Sequence, residues 1–174
     1  MRQNQPAPSL ARLREAFALD VETGELIWKV RLSNRVKIGQ RAGCIESRFG
    51  YVLVRLDGML YAAHDLIWFM LFGEWCPGRI DHIDRDKSNN RPANLRIATQ
   101  QQNLQNQSLS AKNTSGFRGV TWNRREEKWQ AQVQHDGRYI FCGHFDDCLQ
   151  AAHAARQMRL RLWKEFAPLY DHGG

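Results

Sequence analysis

The sequence predicts an α+β fold in two domains, and three patterns carry that prediction. Around the middle, Ile80-Asp81-His82-Ile83 and Leu95-Arg96-Ile97-Ala98 read as short extended runs on either side of a turn-rich loop, with a capped helix after them. Towards the C-terminus, three short alternating segments precede one long helical pattern. Between the two lies a polar stretch with no hydrophobic period, residues 108–114, which reads as a linker. The expected domains are therefore 1–107 and 115–174.

The bulk properties agree with that division. A chain of 174 residues permits one medium domain or two small ones. Net charge is +7 and the pI is near 9.6, which favours an anionic partner, nucleic acid first. Both halves are mildly basic, so both are expected to meet phosphate. No signal peptide is expected, and the longest apolar run, Leu66 to Phe72, is too short to cross a membrane. Cys44, Cys76, Cys142 and Cys148 form no CxxC pair and read as free thiols, with no disulfide partner and no structural zinc.

The elements follow in order. After a lead-in at 1–8, Ser9 is placed to cap a helix from Leu10 to about Ala18, with Leu10, Leu13 and Phe17 on one side. Asp20 to Gly24 makes a turn, and Glu25 to Val30 a strand with Leu26 and Trp28 inward. Residues 31–43 form a basic loop whose Arg31, Arg35, Lys37 and Arg41 suit either a phosphate backbone or plain solvation. Gly50 to Leu56 and Met59 to Ala62 pair as a hairpin through Asp57-Gly58. Ala63 to Phe72 is a helix ended by Gly73, burying Leu66, Ile67, Met70 and Leu71. His64 at its start reads as a structural histidine, and Trp68 and Trp75 read as core.

The central stretch concentrates the chemistry. Asp81 and Asn103 carry hard oxygens of the kind that Mg²⁺ takes while keeping several waters. His82 is a candidate general base, and Asn94 is placed to accept from one of its ring nitrogens and so set the tautomer. Thr99 reads as the N-cap of the helix that carries Asn103. By spacing alone, a polar surface loop fits the same residues.

The stretch DHIDRDKSNNRPANLRIATQQQN resembles the core of HNH endonucleases of the ββα-metal type, in the zinc-free branch found in phage and group I intron homing endonucleases. D-x-x-T-G-x-L-x-W and SNRVKIGQRAG extend the likeness over roughly residues 10–107. The resemblance implies that His82 is the general base, that Asp81 and Asn103 hold one Mg²⁺ or Mn²⁺, and that Asn94 orients His82. It implies products with 5′ phosphate and 3′ hydroxyl, and action in a bacterial cytoplasm. Arg91 and Arg96 are expected to contact DNA. Asp84 stands where the family commonly has Asn, Asn89 where it has Asp, and Asp65 where it often has Arg.

In the second domain, Phe117 to Trp122, Lys128 to Gln134 and Arg138 to Phe141 read as three antiparallel strands. The helix from about Asp147 to Trp163 has an apolar face at Cys148, Ala151, Ala155, Met158 and Leu162. SGFRGVTWNRREEKWQAQV, FCGHF and LQAAHAARQ resemble the AP2 DNA-binding domain over 115–168. That likeness implies that a sheet face carrying Arg118, Thr121, Asn123, Gln132, Gln134, Tyr139, Phe141 and His144 meets DNA, with Arg124 and Arg138 beside it. The sequence therefore implies a ββα-metal (HNH) nuclease domain followed by an AP2-like sheet-and-helix domain. The whole is expected to act as a metal-dependent endonuclease on double-stranded DNA. Nicking and double-strand cleavage both stay open, as do monomer and homodimer, and a non-catalytic DNA-binding protein on the same frame is the alternative.

Overall fold

In the computed structural model, which describes residues 7–107 and 109–167, the chain divides into two units between Ala98 and Thr99. Most of the expected lead-in, Ser108 of the expected linker and Pro168 at the end of the AP2-like match lie outside the described residues.

The first unit opens with α1 (Leu10–Ala16), whose N-cap Ser9 accepts from the Arg12 backbone N–H at 3.1 Å. The helix ends two residues sooner than its periodicity predicts. Phe17–Asp20 leaves it as a strand, β1, paired antiparallel with β2 (Glu25–Trp28). Phe17 is directly opposite Trp28, with ring centroids 4.5 Å apart, and both are buried. Burying two large rings against each other outweighs one more helical turn. Asp20 Oδ1 accepts from the N–H groups of Glu22 and Thr23, which shapes the turn between the strands.

A second sheet has the order β3-β4-β5, from Cys44–Ile45, Val52–Leu56 and Met59–Ala62. Asp57 and Gly58 take φ of +48° and +83°, as the tight hairpin between β4 and β5 requires. The helix α2 (Ala63–Phe72) follows at once and stops at Gly73, which is left-handed at φ 77°. Val54, Leu56, Leu66 and Ile67 join Leu13, Phe17, Leu26 and Trp28 in one core. The helix buries Ala63, Leu66, Ile67 and Phe69, so Leu71 is exposed against expectation. Trp75 is exposed too: past Gly73 the chain has left the helix, and its ring lies on Phe69 at 4.5 Å. Trp68 is half-buried against Phe72. The unit closes with β6 (Arg79–His82) and β7 (Leu95–Ala98), antiparallel, with Asp81 opposite Arg96 and His82 opposite Leu95.

The second unit begins with Thr99, which caps α3 (Gln100–Gln105) in a capping box with Gln102. Its division from the first unit precedes the boundary read from composition. Gln101 Nε2 donates to Asp136 Oδ1 at 2.9 Å, and Arg118 bonds the Gln107 carbonyl, so the short helix goes with the C-terminal strands. Those strands are β8 (Val120–Asn123), β9 (Lys128–His135) and β10 (Arg138–Phe145), in the order β10-β9-β8 with an irregularity between Phe141 and Gly143. α4 (Cys148–Trp163), capped by Asp147, packs on this sheet. Its buried residues are Ala151, Ala155, Arg159 and Trp163, a strict i, i+4 ridge in place of the predicted stripe through Met158 and Leu162. Arg159 is buried because its Nη1 donates to the Arg118 carbonyl at 2.7 Å and its stem covers apolar surface.

Candidate active site

The last two residues of β6 carry the two side chains on which the site is built, and both are buried, Asp81 at 4 % exposure and His82 at 5 %. Antiparallel register sets Arg96 directly across from Asp81. The guanidinium grips one carboxylate oxygen, Oδ2, with Nε at 2.9 Å and Nη2 at 2.8 Å. Arg96, expected to contact DNA, holds Asp81 in this structure.

His82 is held by Asn90, not by Asn94. Its Nε2 lies 3.0 Å from Asn90 Oδ1, and Asn90 is 2 % exposed. The Asn90 amide nitrogen reaches the Ser88 carbonyl at 3.4 Å, which turns its oxygen towards the ring. An oxygen acceptor at Nε2 puts the ring proton there and makes Nδ1 the basic nitrogen. Asn94 has another task. Its Oδ1 accepts from the Asp84 N–H at 3.0 Å, and its Nδ2 donates to Asp84 Oδ1 at 2.9 Å and to the Asn89 carbonyl at 2.8 Å. Its own carbonyl accepts from the Ile83 N–H at 2.9 Å. Asn94 thus closes the loop that delivers Asn90 to His82. Sequence reasoning placed the right residue type four positions away, and the Asn90-Arg91 pair was the available signal.

The two loop positions that depart from the resembled pattern are bonded to each other: Asn89 Nδ2 donates to Asp84 Oδ2 at 2.6 Å. The turn between β1 and β2 supports the same loop from below. A Cβ on Gly24, at φ +70°, would stand 2.2 Å from both the Arg91 nitrogen and the Asn90 carbonyl carbon.

Two aromatic rings flank His82. His64, from α2, meets it edge-on with centroids 5.2 Å apart at 89°; Tyr51 lies 5.3 Å from His64 and 6.1 Å from His82. Burial first, and the neighbouring His82 second, push the His64 pKa down to about 4. Burial also raises the Tyr51 phenol, with Asp81 adding to it. Lys87 from the loop lies over the Tyr51 ring at 4.8 Å. None of Tyr51, His64 and Lys87 stood among the sequence-predicted site residues.

Residues 61–105 match the family model described as HNH endonuclease. This stretch is therefore similar to HNH endonucleases. It carries the strand–strand–helix order β6, β7, α3 over residues 79–105. The chain is 37% identical over 59 residues to Protein 3.8 of Escherichia phage T7, an alignment covering 34% of this chain and 49% of that protein. It is 38% identical over 88 residues to an uncharacterized HNH endonuclease of Acanthamoeba polyphaga mimivirus, covering 51% of this chain and 44% of that one. The chain spans about half the length of these curated relatives, or less. No solved structure matches.

Oxygen donors of the kind a divalent ion takes lie within residues 61–105. Among the described residues no group of three or more His, Cys, Asp or Glu forms a metal cage. Asp81 offers a buried anionic oxygen donor, the kind Mg²⁺ prefers. Asn103, the second expected ligand, lies on α3 in the second unit, half-buried.

The expected DNA contacts divide by environment. Arg35, Lys37 and Arg91 are exposed, Arg31 is exposed with one Nη 3.3 Å from Asn34, and Arg41 is paired with Glu25 at 3.1 Å. In the second unit, cross-strand register gathers Tyr139 opposite Gln134, Phe141 opposite Gln132, and Thr121 and His144 opposite Gln130. Asn123 Nδ2 donates to Gln130 Oε1 and Gln130 Nε2 to Gln132 Oε1, both at 3.1 Å, and His144 Nε2 lies 3.4 Å from Asn123 Nδ2. Arg118, Gln132, Gln134 and Tyr139 also line a cavity of about 580 Å³ together with Gln101 and Arg159. Arg124 and Arg138 are exposed beside the face.

Proposed function

We propose that this protein is a divalent-metal-dependent DNA endonuclease in which His82 activates water. The observation that carries the reading is the buried His82–Asn90 pair, one residue from Asp81, inside the HNH-matched stretch. Asn90 keeps the proton on Nε2, so Nδ1 accepts a proton from water as the new O–P bond forms. The P–O3′ bond breaks, and the 3′ oxygen takes its proton from solvent. Arg96 fixes the Asp81 carboxylate so that its direction does not depend on bound ligand. Asp81 and Asn103 would hold Mg²⁺ or Mn²⁺, which supplies charge stabilisation to the phosphate and the leaving oxygen. The exposed cations of residues 31–37 and Arg91 serve phosphate, and the amide-and-aromatic face of the second unit, AP2-like by sequence, serves site selection on double-stranded DNA.

One observation favours a second reading, a DNA-binding protein without catalysis. Asp81 already makes a two-point ion pair with Arg96, which is what a purely structural carboxylate would do. Supercoiled plasmid incubated with Mg²⁺ or with EDTA, beside His82→Ala, separates the two. Conversion to open circles that needs both metal and His82 is the expected result, with DNA retention by His82→Ala on a gel shift. Binding without conversion in every lane would establish the second reading.

A further inference from the structure

His64 is not used by the chemistry above, and its surroundings are hard to account for as packing alone. It stands on the first turn of α2, its side chain 12% exposed, with its ring perpendicular to that of His82 and the Tyr51 ring beside both. The three centroids form a triangle with sides of 5.2, 5.3 and 6.1 Å. His64 Nδ1 is buried and has no hydrogen-bond partner in the protein. Nε2 lies 3.6 Å from Asp65 Oδ1, too far for a good hydrogen bond. Leaving a buried ring nitrogen unsatisfied is costly, and a phenylalanine of similar volume would fill the place without that cost. A buried polar atom with no protein partner beside other polar groups is the setting in which ordered water is found.

We propose that His64 is a positioning residue that holds, through Nδ1, a water beside the His82 ring, and that this is the water His82 deprotonates. The role rests on the nuclease reading above; the water site itself does not. At a centroid separation of 5.2 Å the two rings are in direct edge-on contact, so a water held on His64 Nδ1 would sit at the margin of the His82 ring, not between the rings. Burial keeps His64 neutral at neutral pH, so it offers a hydrogen bond without placing a second positive charge against His82 as that ring takes up its proton. Tyr51 walls the space on a further side, and His82 directly follows Asp81 on β6, which sets the triangle next to the expected metal ligand.

Three substitutions separate the nitrogen from the ring. His64→Phe keeps the ring and removes both nitrogens. His64→Asn restores a polar atom near Nδ1, and His64→Gln restores one near Nε2. Each is compared with wild type and His82→Ala in plasmid nicking with Mg²⁺, and in thermal melts without DNA or metal. The expected result is a kcat lower by about tenfold or more for the Phe and Gln variants, with KM little changed and recovery in the Asn variant. His64→Phe is also expected to lower Tm by about 4 °C or more, with His64→Asn closer to wild type. Wild-type kcat in His64→Phe would overturn the positioning role and leave the nuclease reading intact. A higher Tm in His64→Phe would show that Nδ1 holds nothing, and would overturn the water site. If the wild type fails to nick, the nuclease reading and the positioning role fall together, and the melts still judge the water site.

Discussion

At the scale of single residues, the site depends on which neighbour each polar atom meets. His82 Nε2 meets Asn90 Oδ1, and Asp81 Oδ2 meets Arg96, so both candidate catalytic side chains are oriented before any ligand arrives. Asn90→Ala should therefore lower the nicking rate about tenfold or more while changing DNA affinity little, because it frees the ring without touching phosphate contacts. Single-turnover nicking and a gel shift on the same variant check this; equal losses in both would place Asn90 in DNA binding instead. His64 makes a separate prediction about stability. The unfolded imidazole takes up its proton near pH 6.5 and the folded one only near 4, so between those values the unfolded chain binds more protons. Stability should fall as pH drops from about 6.5 to about 4, by roughly 3 kcal/mol at most from this group. His64→Asn should lack that component, which urea midpoints at pH 7, 5.5 and 4 would reveal as a smaller loss than wild type shows.

At the scale of elements, supports for the site come from parts of the chain far from it in sequence. The β1–β2 turn is the clearest case. Gly24 needs its positive φ, and its missing Cβ lets the turn lie against the backbone of Asn90 and Arg91. Gly24→Ala should cost about 2 kcal/mol or more in urea unfolding, and should reduce nicking as Asn90→Ala does, because the loop must move to admit the methyl group. Full nicking by the folded variant would mean that the turn bears on stability alone. The hairpin that presents Gly24 was only half legible. Leu26 and Trp28 alternate clearly, but Phe17 fits the helical face of Leu10 and Leu13 equally well. Its assignment to β1 was settled by the Trp28 ring opposite.

At the scale of the whole molecule, the two units carry different chemistries. The first holds His82, Asn90 and the Asp81–Arg96 pair; the second presents a linked row of side-chain amides, Asn123, Gln130 and Gln132, with Tyr139 and Phe141 exposed. Gln132→Ala with Tyr139→Ala should change which sequences are cut, losing about 1 kcal/mol or more of discrimination, while leaving the maximal nicking rate on plasmid near wild type. Cleavage maps on a mixed-sequence substrate test this. An unchanged map would assign the face to something other than site selection. Net charge of +7 acts at this scale too, and DNA binding should weaken steeply with added salt in both the wild type and His82→Ala.

Much of the fold was legible from local chemistry. Capping residues mark Ser9, Thr99 and Asp147, Asp57-Gly58 marks the hairpin, and Gly73 marks the end of α2, because each acts within a few residues of itself. The residue types of the site, one histidine, one aspartate and several asparagines, were legible for the same reason. Only the tertiary structure decided their partners: Asn90 in place of Asn94, Arg96 set on Asp81, His64 brought to His82, and Arg159 buried in α4. These depend on strand register and on packing between distant segments, where several similar polar groups compete for one atom and position in the chain does not rank them.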